Sequence, residues 1–83
     1  MAERILIVED EEKIARFIEL ELKHEGYEVG KCTNGREGLA EAEQGNYDLM
    51  LLDIMLPELN GFEVLRRLRR KSALPVILLT ARD

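Results

Sequence analysis

Three short apolar segments of this 83-residue chain each run directly into side chains that carry oxygen. Continuous apolar runs of four or five residues are typical of strands buried on both faces of a parallel sheet. The carboxyl ends of parallel strands lie side by side at the edge where ligands bind, so we expect these side chains to surround one crevice. In chain order they are Glu9, Asp10, Asp53 and Thr80.

Such a grouping predicts a site for a hard cation. Carboxylates held close together repel one another unless a cation or a proton relieves them. Oxygen ligands without a nearby histidine or cysteine favour Mg²⁺, which usually keeps several of its waters. An aspartate beside Mg²⁺ can accept a phosphoryl group, because the metal offsets charge on the transferring oxygens while the carboxylate attacks. The alternative is that Asp10 and Asp53 only cap helices, since aspartate is a favoured cap residue; their occurrence together with Thr80 favours the chemical interpretation.

Strand-like and helix-like segments alternate along the chain and position these residues. The order is β-α-β-α-β-α-β, which predicts a parallel sheet with right-handed crossovers. The first helix is predicted from Glu11 to Glu25, where Phe17 belongs to an apolar face, and Gly26 ends it. The strand that follows contains a weakening glycine, so we expect it at an edge of the sheet.

Two further helices are marked by capping boxes. Asn34 with Glu37, and Asn60 with Glu63, have the spacing in which the asparagine side chain caps the helix. The first of these helices is expected to include residues 39–43. The second is predicted to bury a stripe that includes Phe62, Leu65 and Leu68, and the first, third and fourth strands are predicted to be buried.

Composition limits the class of protein. The 83 residues suit a single domain, residues 1–83, with 46% hydrophobic residues. The net charge of −5, from 12 basic and 17 acidic residues, argues against a nucleic-acid surface. No apolar run reaches the length of a membrane span, and the first residues do not form a signal peptide. The one cysteine, Cys32, excludes an internal disulfide, so we expect a protein of the reducing cytoplasm.

Three segments of the sequence carry a family resemblance. Residues 8–11 read Val-Glu-Asp-Glu, residues 51–61 run from Leu-Leu-Asp to Leu-Asn-Gly, and residues 75–82 contain Pro-Val-Ile-Leu-Leu-Thr-Ala-Arg. In this order and spacing they resemble the signature segments of a bacterial response-regulator receiver domain of two-component signalling. The residues of these segments are most similar to those of receivers that regulate winged-helix DNA-binding domains.

The resemblance implies a role for each candidate residue. Asp53 would be the phosphoacceptor, and Glu9 and Asp10 the acidic pair that holds Mg²⁺. Met55 would supply a backbone carbonyl to the metal, and Thr80 would be the switch hydroxyl. The implied partner is a sensor histidine kinase, and the module would not be an enzyme in its own right. The implied fold is the flavodoxin-like doubly wound sheet, here with strand order 2-1-3-4.

The chain also departs from the family pattern. A complete receiver continues through a fourth helix, a fifth strand with its lysine, and a fifth helix, whereas this sequence stops at Asp83. We therefore expect a truncated receiver with impaired activity, or alternatively a structural fragment that self-associates, most simply as a homodimer through the fourth strand and uncovered sheet faces. A dehalogenase-type enzyme, which also forms an aspartyl phosphate, would need an acid where Met55 stands.

Overall fold

The parallel sheet is the element on which the rest of the chain is arranged. A computed structural model of the protein describes residues 2–79. Within that range the elements are β1 (Arg4–Val8), α1 (Glu12–His24), β2 (Glu28–Cys32), α2 (Gly35–Gln44), β3 (Leu49–Asp53), α3 (Gly61–Leu68) and β4 (Val76–Leu79). The four strands are all parallel, in the order β2-β1-β3-β4. The predicted α/β class and the strand order 2-1-3-4 are confirmed, as an incomplete flavodoxin-like fold.

Alternate residues of the central strands face opposite sides of the sheet. Leu6 and Val8 of β1 and Met50 and Leu52 of β3 point to the side covered by α2 and α3, where they form the hydrophobic core. Both α2 and α3 contribute to this core, through Ala42, Val64 and Leu68. This packing places the start of α3 immediately after β3, where Asp53 ends the strand.

The opposite side of the sheet is covered unevenly. Ile7, Leu51 and Ile77 are neighbours in register across β1, β3 and β4, so they form one row. Ile7 is fully buried, Leu51 is half-buried, and Ile77 is 51% exposed. Exposure therefore rises across the row, because α1 packs over β1 and β2 rather than over β4.

The helix starts agree with the sequence signals. Asn34 caps α2 by accepting from the backbone N–H of Glu37 at 2.9 Å, and Asn60 caps α3 by accepting from that of Glu63 at 3.0 Å. Gly26 follows α1 with φ of 96°, in the left-handed region that favours glycine. Helix α2 includes the expected residues 39–43 and begins directly after Asn34, the predicted cap.

Three burial predictions are wrong. Phe17 is 66% exposed and Phe62 is 58% exposed, and β4 is only partly buried within the described residues. The face that α3 buries contains Gly61, Val64 and Leu68, at the i, i+3 and i+7 spacing, and Phe62 is about 100° around the helix from Gly61. Among residues 2–79, no helix is both long enough and apolar enough to cross a membrane.

Candidate functional site

Three predicted carboxylates meet at the carboxyl edge of the sheet. Glu9 and Asp10 directly follow β1, and Asp53 is the last residue of β3, the strand that pairs with β1. Each residue offers one carboxylate oxygen, and these oxygens all lie within 4.8 Å of one another. We call Glu9, Asp10 and Asp53 the acidic cluster. The adjacency of two parallel strands, each ending in acid, is what brings the cluster together.

The members of the cluster differ in their exposure to water. Glu9 is 1% exposed and Asp53 is 0% exposed, whereas Asp10 is exposed. Buried charged groups require compensation by partners or ligands. The cluster therefore has a buried floor, Glu9 and Asp53, and an outer carboxylate that water can reach.

Backbone amides orient the two buried carboxylates. The N–H of Glu11 donates to Oε2 of Glu9 at 3.0 Å, and the N–H of Met55 donates to Oδ1 of Asp53 at 3.2 Å. The N–H of Glu9 in turn donates to the carbonyl of Cys32 at 3.1 Å, which ties this end of β1 to β2. Both buried carboxylates are thus held by hydrogen bonds from residues two positions further along the chain.

The segment after β3 turns sharply and brings α3 back under the site. The N–H of Ile54 donates to the carbonyl of Leu79 at 3.2 Å, and the N–H of Gly61 donates to the carbonyl of Ile54 at 2.9 Å. A Cβ at Gly61 would lie 2.8 Å from Cα of Ile54 and would overlap the carbonyl oxygen of Asp53. Only glycine fits at position 61 without a backbone shift. Gly61 is therefore required for packing, while Asn60 caps the helix.

Two predicted site residues lie outside the cluster of carboxylates. Met55 takes part through its backbone N–H, while its side chain is 61% exposed. Thr80 lies outside the described residues, and its role stays a prediction. The preceding residue, Leu79, is opposite Asp53 in register, so β4 runs toward the same edge of the sheet.

One supporting residue was missed by the sequence reasoning. Gly35, the first residue of α2, packs against the backbone of Leu59 in the segment after β3. Its only sequence signal is a glycine placed just after a helix cap, and that signal does not say which segment approaches it.

The donor set fits Mg²⁺. All three side chains are carboxylates, the hard oxygen ligands that Mg²⁺ prefers, and Mg²⁺ binds through one or two carboxylates plus waters. The exposed Asp10 leaves a side of the cluster open to water. The oxygens converge within the range that one ion could bridge after small side-chain adjustments.

The open parallel α/β sheet is that of a flavodoxin-like protein, and the carboxylates at its carboxyl edge could bind a divalent cation. The family model described as the response regulator receiver domain matches residues 5–83, and the chain belongs to that family. The resemblance inferred from the three sequence segments is therefore confirmed, and the domain is a signalling module.

Similar proteins agree with this assignment. The chain is 66% identical over 80 residues to the uncharacterized transcriptional regulatory protein YkoG of Bacillus subtilis, covering 95% of this chain and 35% of YkoG. It resembles the response regulator protein TrrA of Thermotoga maritima in complex with Mg²⁺-BeF, with 44% identity, a TM-score of 0.90, and coverage of 98% of this chain and 71% of TrrA. A complex of histidine kinase ThkA with TrrA matches with 44% identity, a TM-score of 0.88, and coverage of 98% of this chain and 71% of that chain. The chain thus spans about a third of YkoG's length.

Proposed function

We propose that this domain accepts a phosphoryl group on Asp53 from a phosphohistidine of a sensor histidine kinase, with Mg²⁺ held by the acidic cluster. The observation that carries the proposal is the buried Asp53 carboxylate at the strand end, with an oxygen within 4.8 Å of oxygens from Glu9 and Asp10. The backbone carbonyl of Met55 and the hydroxyl of Thr80 complete the proposed set, the first toward the metal and the second toward the phosphoryl group.

In the proposed reaction a carboxylate oxygen of Asp53 attacks the phosphorus of the phosphohistidine. The bond from phosphorus to the imidazole nitrogen breaks, an acyl phosphate forms on Asp53, and the departing imidazole keeps its electron pair and takes up a proton. Mg²⁺, when bound, offsets negative charge on the transferring oxygens. The Met55 N–H, which donates to Oδ1 of Asp53, fixes the orientation of the nucleophile before the donor arrives.

The proposed partner follows from the family and from a structural relative. The complex of ThkA with TrrA contains a histidine kinase bound to a response regulator of the same fold, and TrrA is 44% identical to this chain. We place the reaction in the cytoplasm; the single cysteine, which has no partner in the chain for an internal disulfide, is consistent with that location.

Mass spectrometry after incubation with acetyl phosphate and Mg²⁺ tests the phosphoacceptor. Wild type should gain one phosphoryl group on Asp53, and Asp53→Asn should gain none. Asp48→Asn is the matched control, because Asp48 accepts from the backbone N–H of Arg4 at 2.8 Å and belongs to no part of the acidic cluster. Modification of the Asp53→Asn variant at wild-type level, or its loss in Asp48→Asn, would contradict the assignment.

A second candidate behaviour is self-association through β4. Ile77 is 51% exposed, and the described part of β4 contains no charged residue. Within residues 2–79 the sheet order leaves β4 with a paired neighbour on one side, β3. An apolar edge strand of this kind can pair with another chain, and a two-fold homodimer is the simplest closed assembly.

Light scattering on a size-exclusion column at micromolar concentration tests the homodimer. Wild type should elute at twice the 9.6 kDa chain mass, and Ile77→Lys should elute as the monomer. Leu20→Lys is the control, since Leu20 is also 51% exposed but belongs to α1. Wild type at monomer mass would rule the homodimer out without affecting the phosphoacceptor proposal.

A further inference from the structure

The loop between β3 and α3, residues 54–60, follows the proposed phosphoacceptor and carries the Met55 carbonyl. We call it the β3–α3 loop. Its ends are held together by the hydrogen bond from the Gly61 N–H to the Ile54 carbonyl, at 2.9 Å. Inside it the N–H of Leu59 donates to the carbonyl of Pro57 at 2.7 Å. No helix or strand fixes its conformation, so its position depends on what it packs against.

Gly35, at the start of α2, lies directly against this loop. A Cβ placed on Gly35 would be 2.9 Å from the carbonyl carbon of Leu59 and would overlap the carbonyl oxygen. The Leu59 side chain is 6% exposed and belongs to the hydrophobic core, so the loop has little freedom to withdraw. Two backbones therefore meet here at a distance that only glycine permits.

The neighbouring residue of α2 makes a second contact with the same loop. Nε of Arg36 lies 3.4 Å from Oε1 of Glu58, and both side chains are largely exposed. Glu58 has φ of 68°, a left-handed conformation that is unfavourable for a residue with a Cβ. Such a conformation persists where the surrounding structure holds it, and the contacts at Glu58 and Leu59 come from consecutive residues of α2.

We propose that Gly35 and Arg36 are positioning residues for the metal site: by holding the β3–α3 loop they place the Met55 carbonyl toward a cation at the acidic cluster. This inference rests on the proposed Mg²⁺ site. The three carboxylates are set by strand ends, whereas the carbonyl belongs to a loop that α2 supports from behind. Mg²⁺ demands near-ideal octahedral geometry, so a displaced carbonyl weakens binding even when the carboxylates stay in place.

Gly35→Ala tests the close approach, with Gly45→Ala as the matched control. A Cβ on Gly45 is also crowded, 2.9 Å from the carbonyl oxygen of Glu41, but Gly45 lies at the far end of α2. The Mg²⁺ dissociation constant, measured by calorimetric titration, should rise about tenfold in Gly35→Ala, as for residues that support metal ligands. It should stay within about twofold of wild type in Gly45→Ala, because distant sites act independently.

A metal-free measurement accompanies the titration. In EDTA, hydrogen exchange of the Gly61 and Leu59 amides should be faster in Gly35→Ala than in Gly45→Ala, after correction for each variant's global stability, because the loop has lost its support. Equal exchange and equal Mg²⁺ affinity in the two folded variants would overturn the inference. Failure of wild type itself to bind Mg²⁺ would instead remove the proposed site.

Arg36→Glu tests the positioning role of α2 if Gly35→Ala does not fold. The variant replaces the contact between Arg36 and Glu58 by a repulsion between two carboxylates. Because both side chains are largely exposed, we expect the variant to fold. The substitution removes one positive charge and adds one negative charge, which should strengthen cation binding through space, so a dissociation constant raised about threefold can arise only from a displaced loop. Arg16→Glu, an exposed change of the same charge on α1, should bind as tightly as wild type or more tightly. Equal affinity of the two variants would overturn the inference.

Discussion

The acidic cluster should destabilise the protein in the absence of a cation, and Asp53→Asn should relieve part of that cost. Glu9 and Asp53 are both buried, and their nearest ligand oxygens are at most 4.8 Å apart. Two unit charges at that distance repel by about 3.5 kcal/mol at an effective dielectric constant of about 20. Asparagine keeps the size of the side chain and an oxygen that can accept the Met55 N–H, so the main change is the loss of one charge.

We therefore expect Asp53→Asn to raise the free energy of unfolding in EDTA by about 1–3 kcal/mol, below the full Coulomb value because side chains and water relax around the charges. Mg²⁺ should cancel or reverse this difference in the free energy of unfolding. At a concentration of 100 times its dissociation constant, a ligand that binds only the native state adds about 2.7 kcal/mol, and wild type should gain this while Asp53→Asn gains much less.

Urea unfolding followed by circular dichroism, with and without Mg²⁺, measures both effects. Asp48→Asn makes the same chemical change outside the cluster, where the carboxylate accepts from the Arg4 backbone, so it should not stabilise the protein. The experiments must be run at one protein concentration, since self-association would also shift the midpoint. A lower stability of Asp53→Asn in EDTA would refute the reasoning, because it would mean that the buried carboxylate is stabilising without a cation.

Three further predictions concern the rest of the fold. Burial and the neighbouring Glu41 raise the pKa of Cys32 to about 11 from 9.0. At pH 8 the alkylation of Cys32 by iodoacetamide should therefore be about 100-fold slower in folded than in unfolded protein. The stability that the protonated thiol contributes below pH 9 should be lost as the pH rises through 11. Leu68→Ala should lower the free energy of unfolding by about 2–4 kcal/mol in urea titrations, because Leu68 is fully buried in the core and truncation leaves a cavity. Glu58→Gly should be about 1 kcal/mol more stable than Glu58→Ala, because both lose the contact with Arg36 but only glycine relieves the left-handed φ; equal stabilities would contradict this.

The sheet and the acidic cluster could be predicted because they depend on chain direction and strand order. Apolar runs that end in acid place their carboxylates at one edge whenever the strands are parallel and adjacent. β1 and β3 meet both conditions, so Glu9, Asp10 and Asp53 converge as expected. The helix caps at Asn34 and Asn60 were equally predictable, since the capping box is a local pattern that needs no knowledge of distant contacts.

Burial of single side chains was less predictable, because it depends on which neighbour covers each face. Phe62 is apolar and near a helical stripe, yet α3 turns it outward and buries Val64 instead. Ile77 is part of a strongly apolar strand, yet it is half exposed because α1 covers the other end of its row. Local periodicity predicts which residues share a face of a helix or strand, but it does not predict which other element covers that face, so neither outcome follows from it.

The site combines two kinds of support, and they should respond differently to mutation. The carboxylates belong to the ends of β1 and β3, whose residues form the core, so changes such as Leu52→Ala alter stability and metal affinity together. The Met55 carbonyl belongs to a loop that touches α2 through Gly35 and an exposed ion pair, so changes such as Arg36→Glu can alter metal affinity while leaving the core intact. In the proposed site, the strands would set the positions of the carboxylates, and the first turn of α2 would set the position of the Met55 carbonyl.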